Sequence, residues 1–139
     1  MDILSHREHS EFELRKKLQG RNFLTETVEQ VIGELKDNDY LSDDRYTEVY
    51  VRSRIERGDG PIKIRHELAR KGVSGRLIDL HLDHSDDFWE IVLRNIKVRK
   101  FGAAAPGDYK EWATQARFLQ SRGFTAEQIR KVVSIQEPV

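Results

Sequence analysis

A chain of 139 residues carrying 24 basic and 24 acidic side chains has no net charge, which argues against a protein that simply coats DNA. It contains no cysteine, so disulfides, thiolate metal sites and cysteine nucleophiles are excluded. Hydrophobic residues make up 37% and charged residues 35%, a balance expected of a helical protein with thin cores and a large solvated surface.

The first residues, Met1 to Arg7, lack the apolar stretch of a secretory signal, and no run approaches the roughly 20 apolar residues that span a bilayer. A soluble, cytoplasmic protein is expected. From Ile3 to His9 a short helix is expected, followed by a helical hairpin. The hairpin turns at Arg21-Asn22-Phe23, with Thr25 as cap of its second helix and Val28, Val31, Ile32 and Leu35 on its apolar face. Ser42-Asp43-Asp44 then caps a helix with Tyr46, Val49 and Tyr50 on one face, ending at Gly58-Asp59-Gly60-Pro61. A second hairpin turns at Lys71-Gly72-Val73 with Ser74 as cap. Ser85-Asp86-Asp87 opens a helix bearing Trp89, Val92, Leu93 and Ile96, which stops at Phe101-Gly102. A third hairpin turns at Arg122-Gly123-Phe124, with Thr125 and Gln128 as a capping box.

The three hairpins are copies of one another. Leu18, Leu68 and Leu119 stand 50 and 51 residues apart, each with a basic residue three positions later, then Asn or Gly, then Phe or Val. Val28, Ile78 and Ile129 follow in the same register, then Ile32, Leu82 and Val133. In each copy a left-handed residue closes the first helix beside a cation that favours its carbonyls, and the apolar residue after it packs into the corner. No stretch alternates long enough to be a strand. The expected fold is all-α: tandem three-helix repeats over 1–41, 42–84 and 85–139, the first with a short leading helix, stacked into an elongated, curved array.

Charge is sorted into blocks. Between Arg45 and Arg76 nine basic residues face four acidic ones. The flanking blocks are acidic: eight acids against two bases from Glu26 to Glu48, and five against none from Asp79 to Glu90. The candidate binding face is Arg52, Arg54, Arg57, Lys63, Arg65, Arg70 and Lys71, joined by Arg15, Lys16, Lys17 and Arg21. Such side chains meet phosphate oxygens or acidic partners, although a solvated helix face balanced by Glu56, Asp59 and Glu67 would read the same way.

Tyr40-Leu41-Ser42-Asp43-Asp44-Arg45-Tyr46, Arg52-Ser53-Arg54, and the run from Gly58 and Gly60-Pro61 through Ile64, Glu67-Leu68 and Lys71-Gly72-Val73 resemble the signature of the RecX family. Arg7, His9-Ser10, Glu13-Leu14 and Lys17-Leu18 resemble that family's first hairpin. Lys100-Phe101-Gly102 and Arg117-Phe118-Leu119 with Arg122-Gly123-Phe124 resemble its third unit. The resemblance implies a regulator that binds RecA nucleoprotein filaments and restrains RecA's ATPase, strand-exchange and co-protease activities in DNA repair and the SOS response. Because the chain is neutral overall with only local basic patches, weak contact with single- and double-stranded DNA is expected. A monomer without cofactor is expected.

Other readings are weaker. Gly58-Asp59-Gly60-Pro61 lacks the strand and the Gly-Lys-Ser/Thr ending of a phosphate loop, so its glycines are read as positive-φ turn residues before a helix started by Pro61. His81 and His84 sit among Asp83, Asp86 and Asp87, without the spacing of a metal-binding helix pair; His81 falls at a core or interface position of the repeat. Trp89 and Tyr46 fit buried helix faces better than base-stacking platforms. An autonomous helix–turn–helix DNA reader is disfavoured by Glu29, Glu34, Asp79 and Asp83 on the second helices. No grouping of serine, histidine and acid suggests an enzyme.

Overall fold

The computed structural model describes residues 7–135. Over these residues the chain forms eight helices and no strand: α1 (Glu11–Gly20), α2 (Thr25–Asp37), α3 (Asp43–Arg57), α4 (Pro61–Arg70), α5 (Gly75–Leu82), α6 (Asp86–Phe101), α7 (Tyr109–Ser121) and α8 (Ala126–Val132). The short helix expected from Ile3 to His9 lies largely outside the described residues.

Side-chain caps explain most helix starts. Ser10 accepts from the Glu13 amide while the Glu13 carboxylate accepts from the Ser10 amide, a complete capping box on α1. Ser42, Ser74, Ser85 and Thr125 accept from the amides of Arg45, Leu77, Phe88 and Gln128, and Asp108 does the same for Glu111 at α7. Each bond satisfies an amide that the first turn leaves without a partner.

Two compact units result. One gathers the chain up to Arg52 together with His66–Leu82; the other gathers Ser53–Arg65 with the chain from Asp83 onward, so α3 and α4 contribute to both. In the first unit Leu14, Leu18, Val28, Ile32 and Leu41 form a core, with Val31 and Leu35 packed against it. In the second unit α6, α7 and α8 pack on one another, burying Trp89, Leu93, Leu119, Phe124, Ile129 and Val133. All three repeat leucines, Leu18, Leu68 and Leu119, are buried.

Four local expectations need correction. Phe23 is 51% exposed, whereas its counterparts Val73 and Phe124 are buried. Val73 and Phe124 donate their amides back to Leu68 and Leu119, a bond the first hairpin lacks at Phe23. Without that closure the ring is not drawn into the corner. Thr25 is already inside α2; the cap position belongs to Leu24, which makes no side-chain bond. Val49 is exposed, because α3 buries Tyr46, Thr47 and Val51. Of the glycines before α4, only Gly58 has positive φ, at 95°. Gly60 serves close approach instead.

Candidate functional site

The same joint between consecutive hairpins occurs once in each unit. In the first, the fully buried Ser10 donates its hydroxyl to the Lys71 carbonyl at 2.8 Å, so the start of α1 meets the turn of the second hairpin. In the second, Gly60 and Ile62 donate their amides to the carbonyls of Arg122 and Gly123 at 2.7 and 2.9 Å, so the start of α4 meets the turn of the third hairpin. Ser10 and Gly60 hold the same place in the repeat, eight residues before Leu18 and Leu68. A Cβ on Gly60 would lie 2.6 Å from the backbone of Gly123, which explains the glycine.

Each joint buries a polar residue ahead of it. His9 lies between the Arg7 carbonyl and the Lys17 ammonium, both 3.0 Å away. The ammonium donates, so Nε2 accepts and Nδ1–H donates to the carbonyl. Burial, then the charges of Arg7 and Lys17, hold the imidazole below its ordinary pKa and neutral. Asp59 is fully buried with Lys63 Nζ at 3.2 Å and Arg122 Nη1 at 3.6 Å on one oxygen. In the second joint Asp59 thus links Arg122, beside the hairpin turn, to the residue ahead of α4.

These pairings sort the expected cations. In the first unit Arg15 holds Glu29 at 2.9 Å and Glu11 at 3.0 Å, and those carboxylates raise its pKa further. Lys71 pairs with Glu13 at 3.4 Å, Arg52 with Glu48 at 2.8 Å, and Lys17 with His9. The Lys16 ammonium stands 5.6 Å from the Phe12 ring centroid. Arg21 and Arg70 are exposed and have no carboxylate partner among the described residues. In the second unit Lys63 is engaged by Asp59, Arg54 is half-buried, Arg65 is exposed, and Arg57 is exposed without a carboxylate partner among the described residues. An uncommitted cation meets an external phosphate or carboxylate without breaking an internal pair. Arg21, Arg57 and Arg70 are such cations.

Several residues escaped the sequence reading. Asp59 was read only as a counter-charge, yet its register with His9, nine residues before the repeat leucine, marked it as a joint residue. Lys97 is buried and donates to the carbonyls of Gly102 and Ala104, fixing the loop after α6; nothing in its neighbourhood of α6 signalled that. His81 is half-buried and lies 2.6 Å from Asp44.

Family models match almost the whole chain in three consecutive pieces: the first RecX three-helix domain over residues 1–35, the second over 42–82 and the third over 92–133. The chain is 42% identical to the regulatory protein RecX of Halorhodospira halophila, covering 92% of this chain and 80% of that protein. It is 38% identical to the RecX of Pseudomonas fluorescens, covering 96% and 86%, and 33% identical to that of Vibrio vulnificus, covering 96% and 88%. The crystal structure of RecX from Lactobacillus salivarius superimposes with a TM-score of 0.80 at 20% identity, over 94% of this chain and 87% of that one. A second crystal structure of a regulatory protein RecX gives 0.79 at 23% identity; this chain spans 66% of its length. With three helical domains matched in order and relatives aligned over most of their length, the chain belongs to the RecX family of regulatory proteins.

Proposed function

We propose that this chain binds RecA nucleoprotein filaments and lowers RecA's ATPase, recombinase and co-protease activities, acting in the cytoplasm as a monomer without cofactor or catalysis of its own. Family membership supports the partner. The repeats are assigned to 1–41, 42–84 and 85–139. One observation carries the choice of residues: Arg57 in one unit and Arg70 in the other are each exposed and unclaimed by any carboxylate among the described residues. A nucleoprotein filament offers phosphates and acidic side chains, and both are met by free guanidinium groups.

The test is RecA-catalysed, DNA-dependent ATP hydrolysis at increasing concentrations of the protein. The wild-type chain inhibits. The double reversal Arg57→Glu/Arg70→Glu shifts the midpoint upward by about tenfold or more, because each change removes an attraction and adds a repulsion. Arg94→Glu/Lys110→Glu, an equal charge change on exposed third-repeat positions, shifts it less. Absence of inhibition by wild type overturns the function. An unshifted midpoint for the folded Arg57/Arg70 variant moves the binding face elsewhere.

A further inference from the structure

Between α7 and α8, in the third repeat, lies a groove of about 250 Å³. Its floor is made of small and aliphatic side chains: Ala113 and Ala116 on α7, Ala126 and the buried Ile129 on α8. Three alanines on facing helices leave the space that larger side chains would have filled. Trp112 and Tyr109 also line it. The Trp112 indole N–H is used internally, donating to the Val133 carbonyl at 2.8 Å. Tyr109 stacks on the Trp112 ring at 5.9 Å between centroids and is 70% exposed, far more than a core tyrosine.

The rim is charged with one sign. Arg117 from α7 and Arg130 from α8 both line the groove, both are exposed, and neither has a carboxylate partner among the described residues. The neighbouring Lys131 contrasts with them, since it reaches both Glu90 and Glu127. An apolar slot with two unpaired guanidinium groups over it is complementary to an apolar side chain flanked by carboxylates.

We infer that this groove is a docking site for an acidic peptide segment of a partner protein, with a leucine-like or aromatic anchor on the alanine floor and carboxylates on Arg117 and Arg130. A nucleic acid fits less well. A base seated on the floor would lose hydration of its edge donors and acceptors, and alanine and isoleucine return no hydrogen bonds. An aliphatic anchor loses nothing of that kind, and exposed Tyr109 adds an edge against which it packs. The inference does not depend on the proposed action on RecA.

Fluorescence anisotropy of the whole chain with a short labelled peptide, a leucine pair flanked by glutamates, tests this. Two further peptides replace the leucines by serine or the glutamates by glutamine, and a labelled oligothymidylate serves as the nucleic-acid arm. The glutamate–leucine peptide binds, and both replacements weaken it by about tenfold or more. Arg117→Glu/Arg130→Glu, on exposed positions, weakens it to a similar degree with helicity unchanged by circular dichroism. Ala116→Leu, which fills the slot, weakens it while leaving the arginines in place. The inference is overturned if the peptide fails to bind, or if its binding survives the arginine reversal. It is equally overturned if oligothymidylate competes for the site and needs the same two arginines.

Discussion

Glu13 shows how much one side chain can combine. Its carboxylate accepts from the Ser10 amide at 3.2 Å, meets Arg7 at 3.1 Å and stands 3.4 Å from the Lys71 ammonium, so it caps α1 and ties that helix to the next hairpin turn. Burial pushes its pKa upward, but the bonds from Arg7 and Ser10 and the charges of Arg7 and Lys71 outweigh this and bring it down to about 2. A carboxylate more acidic when folded contributes stability above its ordinary pKa, and that contribution is lost as pH falls from about 4.5 toward 2. Glu13→Gln should therefore cost about 1–2 kcal/mol at neutral pH, a figure discounted because Arg7 and Lys71 are partly exposed. In urea unfolding across the acid range, the gap between wild type and variant should close below pH 4.5. A gap that stays constant would mean the ion pairs do not matter. Neutral His9 acts at a higher pH: its depressed pKa contributes stability that is lost as pH falls below its ordinary value of 6.5. The Lys71 contact was not legible in the sequence, since Lys71 and Glu13 are far apart along the chain and only the folded joint makes them neighbours.

At the scale of elements, the sequence was informative wherever a local bond decides the outcome. Ser42, Ser85 and the Thr125–Gln128 box cap the helices they were expected to cap, because an N-cap needs only residues within one turn. It was misleading at Phe23, where repeat register supplied an analogy that the missing turn-closing bond does not honour, and at Thr25, which lies inside α2 rather than at its cap. The joints lie between these cases. Gly60 looked like a flexible turn glycine, and its true constraint is the Gly123 backbone brought to it by the third hairpin. Gly60→Ala should destabilise the chain by about 1–3 kcal/mol or more, since backbone rather than a mobile side chain must give way. Gly33→Ala is the matched control: inside α2, with nothing within 4 Å of the added carbon, it should stabilise by about 0.5–1 kcal/mol. Thermal unfolding of both variants decides it. Equal effects would mean the joint in the second unit is looser than its two amide bonds indicate.

Over the whole molecule, an even balance of 24 bases and 24 acids conceals a division of labour among the bases. Block counting from Arg45 to Arg76 suggested nine cations available to a polyanion, but Arg52, Lys63 and Lys71 are engaged by Glu48, Asp59 and Glu13, and Arg45 by Glu8. Arg15 is similarly held by Glu11 and Glu29. Linear charge therefore overstates the binding surface, because helical folding returns many arginines to acids one turn or one repeat away. A chain whose bases are matched in number by acids, and in part held by them, should bind DNA alone only weakly. With about three or four phosphates neutralised, the affinity for a labelled oligothymidylate should fall by about twentyfold to fiftyfold between 50 and 200 mM salt. Anisotropy titrations across that range measure the slope directly. Arg57→Glu/Arg70→Glu should flatten it by about two phosphate contacts, whereas Lys71→Glu should change it little while destabilising the fold, since Lys71 already holds Glu13. A slope as steep as that of a dedicated DNA-coating protein would mean the internal ion pairs open on binding. An affinity indifferent to salt would place DNA contact outside the basic surface altogether.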